Sequence, residues 1–142
     1  MGNTMDSMRE NELSSILERY QKEFNEDAKI NEFNIKDKQM MLPGIKHKFV
    51  AYLIQHKRKK FELERAKRKA IEELIKKTTS DIGLSKPTLE RKQEGHPTIK
   101  RINEMIEEQD IIIAYLEKIE NISRSMTYDL GNLVKIIQLE TT

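Results

Sequence analysis

The sequence predicts an all-α protein whose long helices assemble into an oligomeric helical bundle. Three observations point there: apolar residues recur at helical spacing along most of the chain, no stretch alternates as a strand would, and 37% hydrophobic residues stand against 35% charged ones in 142. A chain of that size and polarity builds only a modest private core, so part of each helical stripe is expected to be covered by neighbouring copies.

The first element is a helix over residues 7–24, because Leu13, Ile16, Leu17, Tyr20 and Phe24 repeat at the interval that lines one helical face. Residues 25–42 carry Ile30, Phe33, Ile35, Met40 and Met41 without a sustained period and read as an irregular connector. Pro43-Gly44 then punctuates the chain. From residue 45 to 77 neither Pro nor Gly occurs, and Lys, Arg, Glu, Leu and Ala predominate, so one long helix is expected there. Its apolar ends, Phe49 to Ile54 and Leu63 to Leu74, are interrupted by the cations that follow His56.

Residues 78–97 hold Gly83, Pro87, Gly95 and Pro97 among polar residues, which predicts a flexible loop with room for one short helix around Leu89. Residues 98–138 are rich in Ile and read as C-terminal helices, with a possible break at Gly131. The stripe there is wide enough to meet two neighbours. Its candidate oligomerisation residues are Ile106, Ile112, Ile113, Leu116, Ile119, Met126, Leu130, Leu133 and Ile137. All of this is read as a single helical domain, 1–142.

Charge is segregated more than the net +2 reveals. Between Gln55 and Lys77 ten cations (Lys57, Arg58, Lys59, Lys60, Arg65, Lys67, Arg68, Lys69, Lys76 and Lys77) stand against four glutamates, a local +6. Between Asn103 and Ile122 six acids face Lys118 alone. Those ten cations are the candidate DNA-binding residues, because a cationic helix neutralises phosphates and releases their counterions without reading bases. The bland alternative is a solvated helix held by Glu-Lys pairs one turn apart, and composition alone leaves the two evenly matched. Aromatic interleaving is sparse: only Tyr52 and Phe61 lie near the strip, and both rings are expected in the core rather than as a base-stacking platform.

Several chemistries find no support. There is no cysteine for a thiolate or a disulfide, and Gly2, Gly44, Gly83, Gly95 and Gly131 never fall in a phosphate-cradling spacing. His47, His56 and His96 are isolated, with no Glu three residues before any of them, so no metal site is expected. Glu104 and Glu108 share a face without an accompanying nucleophile. We therefore expect no enzyme, no cofactor and no metal. Neither a signal peptide nor a run of about 20 apolar residues is present, which predicts a soluble, cytosolic protein. Adsorption to anionic membrane is disfavoured, since few large apolar residues oppose the charged middle of the basic helix.

Short motifs resemble the UvsY family of recombination mediators of T-even-type phages. Asp27-Ala28-Lys29-Ile30-Asn31 is similar to that family's Asp-Ser-x-Ile-Asp, and Pro43, Ile45, Lys48 and Phe49 match its Pro-x-Leu-His-x-Lys-Tyr element. A long basic helix then runs to a glycine, here Gly83, and Tyr115-Leu116-Glu117, Gly131 and Lys135 resemble the last helix. Departures are Ser80, Asp81 and Ile82 where a tyrosine pair usually precedes the glycine, and Lys46 in place of a histidine. The resemblance implies a homo-oligomeric ring, a hexamer or heptamer, that binds single-stranded DNA in the cytoplasm of the infected host cell. It further implies contacts with a UvsX-type recombinase and with single-strand-binding protein, in DNA recombination and repair, with Lys76 and Lys77 in the DNA-contacting region. A non-enzymatic scaffold that oligomerises without binding nucleic acid is the competing expectation.

Overall fold

The computed structural model describes residues 2–31, 33–77 and 83–141, and among them the only regular elements are helices. These are α1 (Gly2–Asp27), α2 (Ile35–Lys77), α3 (Lys86–Gln93) and α4 (Pro97–Glu140), so the predicted all-α class is what forms. None of them is long and apolar enough to cross a membrane. Contacts divide the chain into two compact units, Met1–Ile54 with Ile112–Thr142, and Gln55–Ile111. Both α2 and α4 supply residues to each unit.

In the first unit α1 contributes the stripe expected of it. Tyr20 and Phe24 are buried with Ile45, Phe49 and Leu53 of α2 and Ile112, Ile113, Leu116 and Ile119 of α4, while Leu13, Ile16 and Leu17 pack partly buried against them. The rings fix the register: Tyr20 stacks on Tyr52 at 5.0 Å between centroids, and Phe49 meets Phe24 and Tyr52 edge-on at 5.5 Å each. Such offset and edge-to-face contacts add roughly 0.5–1.5 kcal/mol beyond the area they bury.

The connector expected over residues 25–42 is largely absent, because α2 begins at Ile35 and runs through Pro43 and Gly44. Two features explain the difference. Asn31 and Asn34 close a reciprocal cap: Asn31 Oδ1 accepts from the backbone amides of Phe33 and Asn34, and Asn34 Oδ1 accepts from the amide of Asn31. Leu42 and Ile45, which flank the proline, are both buried. Proline inside a helix costs about 3 kcal/mol, and burying each of those side chains gives back about 1.5–3 kcal/mol. Burial therefore outweighs the break.

Beside that core, Lys48 Nζ reaches Glu23 Oε1 at 2.9 Å and also bonds Asp27, while Tyr52 OH donates to the same Glu23 oxygen at 2.9 Å. Burial by itself would raise the Glu23 pKa, but the hydrogen bonds from Lys48 and Tyr52 and the charges of Lys48 and Arg19 outweigh it and hold the carboxyl below its ordinary value. A depressed carboxylate stabilises the fold above its unfolded pKa, about 4.3, and loses that contribution as pH falls through the lower folded value. The melting-temperature gap between wild type and Glu23→Gln should accordingly narrow between about pH 6 and about pH 3. A gap constant over that range would show that ionised Glu23 adds nothing.

In the second unit, most of the loop expected over residues 78–97 is ordered helix or cap, with residues 78–82 lying outside the described part. Gly83 takes φ 97°, a left-handed conformation that glycine adopts without strain. Ser85 then caps α3, its Oγ accepting from the amide of Thr88, and Pro87 occupies the first turn, where a missing amide is harmless. The expected short helix around Leu89 is α3. His96 starts α4, its Nδ1 accepting from the amide of Thr98 at 3.1 Å, and Pro97 follows as the first helical residue. Ile99, Ile71, Gln93 and His56 are the buried residues among the described part of this unit. Gly131, in the other unit, does not break α4, which continues to Glu140.

Candidate nucleic-acid interface

Successive residues of a helix point about 100° apart, so four adjacent cations cannot face one ligand. Lys57, Arg58, Lys59 and Lys60 therefore fan around the circumference of α2. Lys60 is turned towards α4, with Nζ 2.6 Å from Asp110 Oδ1 and 4.0 Å from Glu64 Oε1. One turn earlier His56, only 3% exposed, bonds through Nδ1 to Gln109 Oε1 at 2.8 Å. Lys67 lies on the same side of α2 and binds Glu94 Oε1 at 3.0 Å, while Asn103 donates to the other carboxylate oxygen. Those two donors, Lys67 first, hold the Glu94 carboxyl below its usual pKa. Lys60 and Lys67 are thus engaged by acids of their own unit.

The remaining eight, Lys57, Arg58, Lys59, Arg65, Arg68, Lys69, Lys76 and Lys77, are exposed. Among them Arg58, Arg65, Lys69 and Lys76 are separated by seven, four and seven residues, the intervals that return a helix to one direction. They form a stripe along the outer face of α2, about 27 Å from first to last at 1.5 Å per residue. Arg68 lies beside it. None of Arg58, Arg68, Lys69 or Lys76 is bonded to an acid among the described residues. A groove of about 400 Å³ opens on this face between Glu62, Arg65, Ala66, Arg68, Lys69 and Glu72. The two glutamates dilute the positive field without neutralising it.

Of the two rings near the strip, Tyr52 packs partly buried against the core cluster. Phe61 does not: it is 55% exposed on the outer face of α2, with the Arg65 guanidinium 6.0 Å from its ring centroid.

The candidate oligomerisation residues divide by burial. Ile112, Ile113, Leu116, Ile119 and Leu130 are covered by the chain's own helices, Ile106, Met126 and Ile137 are half-buried, and Leu133 is exposed. Outside that set, Ile111, Ile122, Ile136 and Leu139 of α4 are also exposed. Ile111, Ile122 and Leu133 are eleven residues apart, three helical turns, and this repeat was the available sequence signal. It was hidden because the neighbouring Ile and Leu positions make the whole helix look apolar. No cluster of three potential metal ligands occurs among the described residues.

No family model matches the sequence, and no curated protein matches it significantly. Among solved structures, the recombination mediator protein UvsY of bacteriophage T4 superimposes with a TM-score of 0.74 over 87% of this chain and 98% of its own, at 11% sequence identity. The fold expected from the short motifs is therefore the fold observed: this chain is built like the T4 recombination mediator UvsY.

Proposed function

We propose that the protein is a non-catalytic recombination mediator that binds single-stranded DNA along the outer face of α2. The observation that carries this reading is the stripe of Arg58, Arg65, Lys69 and Lys76, exposed and lined up on one face, with the fold of the T4 mediator in support. Copies join through the apolar residues that α4 leaves in solvent, and a ring of them presents many stripes to one strand. Weak phosphate contacts then add through effective concentration into tight, sequence-independent binding. In this role the assembly loads a UvsX-type recombinase onto strands covered by single-strand-binding protein, in the cytoplasm of the infected host.

Fluorescence anisotropy with labelled oligothymidine over a salt series tests the binding. A log-log slope of about −0.7 per phosphate, or about −2.8 for four contacts per subunit, is expected; affinity indifferent to salt rejects the reading. The scaffold alternative draws on the exposed stripe of α4, which would serve assembly with or without DNA. Both readings expect Ile122→Glu to lower the mass in solution while leaving helical content intact. They part when the wild-type chain is titrated with oligothymidine, where only a scaffold ignores the strand.

A further inference from the structure

We propose that Phe61 is a base-stacking platform, so that α2 holds phosphates with its arginines and an unstacked base with this ring; the inference rests on the DNA-binding reading above. Phe61 is bracketed on the outer face of α2 by Arg58 three residues before it, Arg65 four after and Arg68 seven after, intervals that place all four side chains on one side of the helix. Phe61 is exposed over more than half of its residue surface, whereas Phe24 and Phe49 are buried. The Arg65 guanidinium stands 6.0 Å from the ring centroid, at the edge of cation–π range.

Charge complementarity identifies the occupant. A bare apolar ring among three guanidinium groups suits a ligand that is anionic at repeating points and flat and apolar between them. A single nucleic-acid strand has that chemistry, and every base offers a π-face, so the contact is sequence-tolerant. In a duplex the bases are already stacked on one another, and only the phosphates remain available. Phe61 therefore favours single over double strands, a choice that a purely ionic stripe makes poorly.

The test compares oligothymidine with an abasic oligonucleotide of equal length and phosphate number, using the full chain. Wild type should bind oligothymidine about ten- to hundredfold more tightly than the abasic strand. Phe61→Ala should bind both at the abasic level with an unchanged salt slope. The chain contains no tryptophan, so Phe61→Trp introduces a single indole, whose emission should be quenched by oligothymidine and not by the abasic strand. Retention of the wild-type preference by Phe61→Ala overturns the proposal and leaves phosphate binding standing. A loss of mass in solution with Phe61→Ala also overturns it, by assigning the ring to a contact between copies. If wild type binds neither strand, the DNA-binding reading itself fails.

Discussion

Changing Arg58, Arg65, Lys69 and Lys76 together to Glu should abolish oligothymidine binding at moderate salt. Four reversals turn the local +6 of residues 55–77 into −2, and they do so on the face proposed to carry the strand. With four phosphate contacts per subunit removed and repulsion added, affinity should fall by at least about a hundredfold. The helix itself should survive, because all four side chains are exposed and Glu is as good a helix former as Lys or Arg. Lys60→Gln with Lys67→Gln is the matched control: both amines are bonded to acids of their own unit, so binding should stay near wild type. The anisotropy titration described above reads both variants. A quadruple variant that still holds the strand would remove α2 as the binding surface.

Phe49→Ala should be the most destabilising single truncation in the first unit. The side chain is 2% exposed and contacts two other rings at 5.5 Å, and Phe-to-Ala changes at such sites cost about 3–5 kcal/mol. Against a typical total of about 5–15 kcal/mol, that is enough to shift the urea midpoint strongly and to populate unfolded chain at elevated temperature. The same substitution at exposed Phe61 should change stability by no more than about 0.5 kcal/mol. Equal urea midpoints for the two variants would mean that the aromatic cluster is not the centre of the core.

Periodicity carried most of the fold. The stripe from Leu13 to Phe24 and the run from Ile99 to Ile137 each appear as one helix, because repeated apolar positions over many turns leave few alternatives. What could not be read was decided by neighbours distant in sequence. Pro43-Gly44 is a strong local break, yet burial of Leu42 and Ile45 against the rest of the unit overrides it, and no local rule contains that information. The ten cations were legible as a group, but their roles were not. Lys60 finds Asp110 fifty residues away and Lys67 finds Glu94, so two of the ten turn inward. The spacing of Arg58, Arg65, Lys69 and Lys76 was visible in the sequence, whereas the direction of that face needed the packing of His56 and Ile71 on the opposite side. Phe61 shows the same limit: ring type and helical position suit either a core or a surface, and only the fold chooses.

The proline within α2 has a consequence for how the chain acquires its structure. A segment with a missing amide rung and a glycine next to it has little helical tendency in isolation, and short helices are marginal in water even without such defects. Residues 35–54 are therefore expected to coil up only as α1 and α4 close over Ile45 and Phe49, late and in one concerted event. The proline-free basic stretch downstream carries its own helical propensity and can wind before any partner arrives.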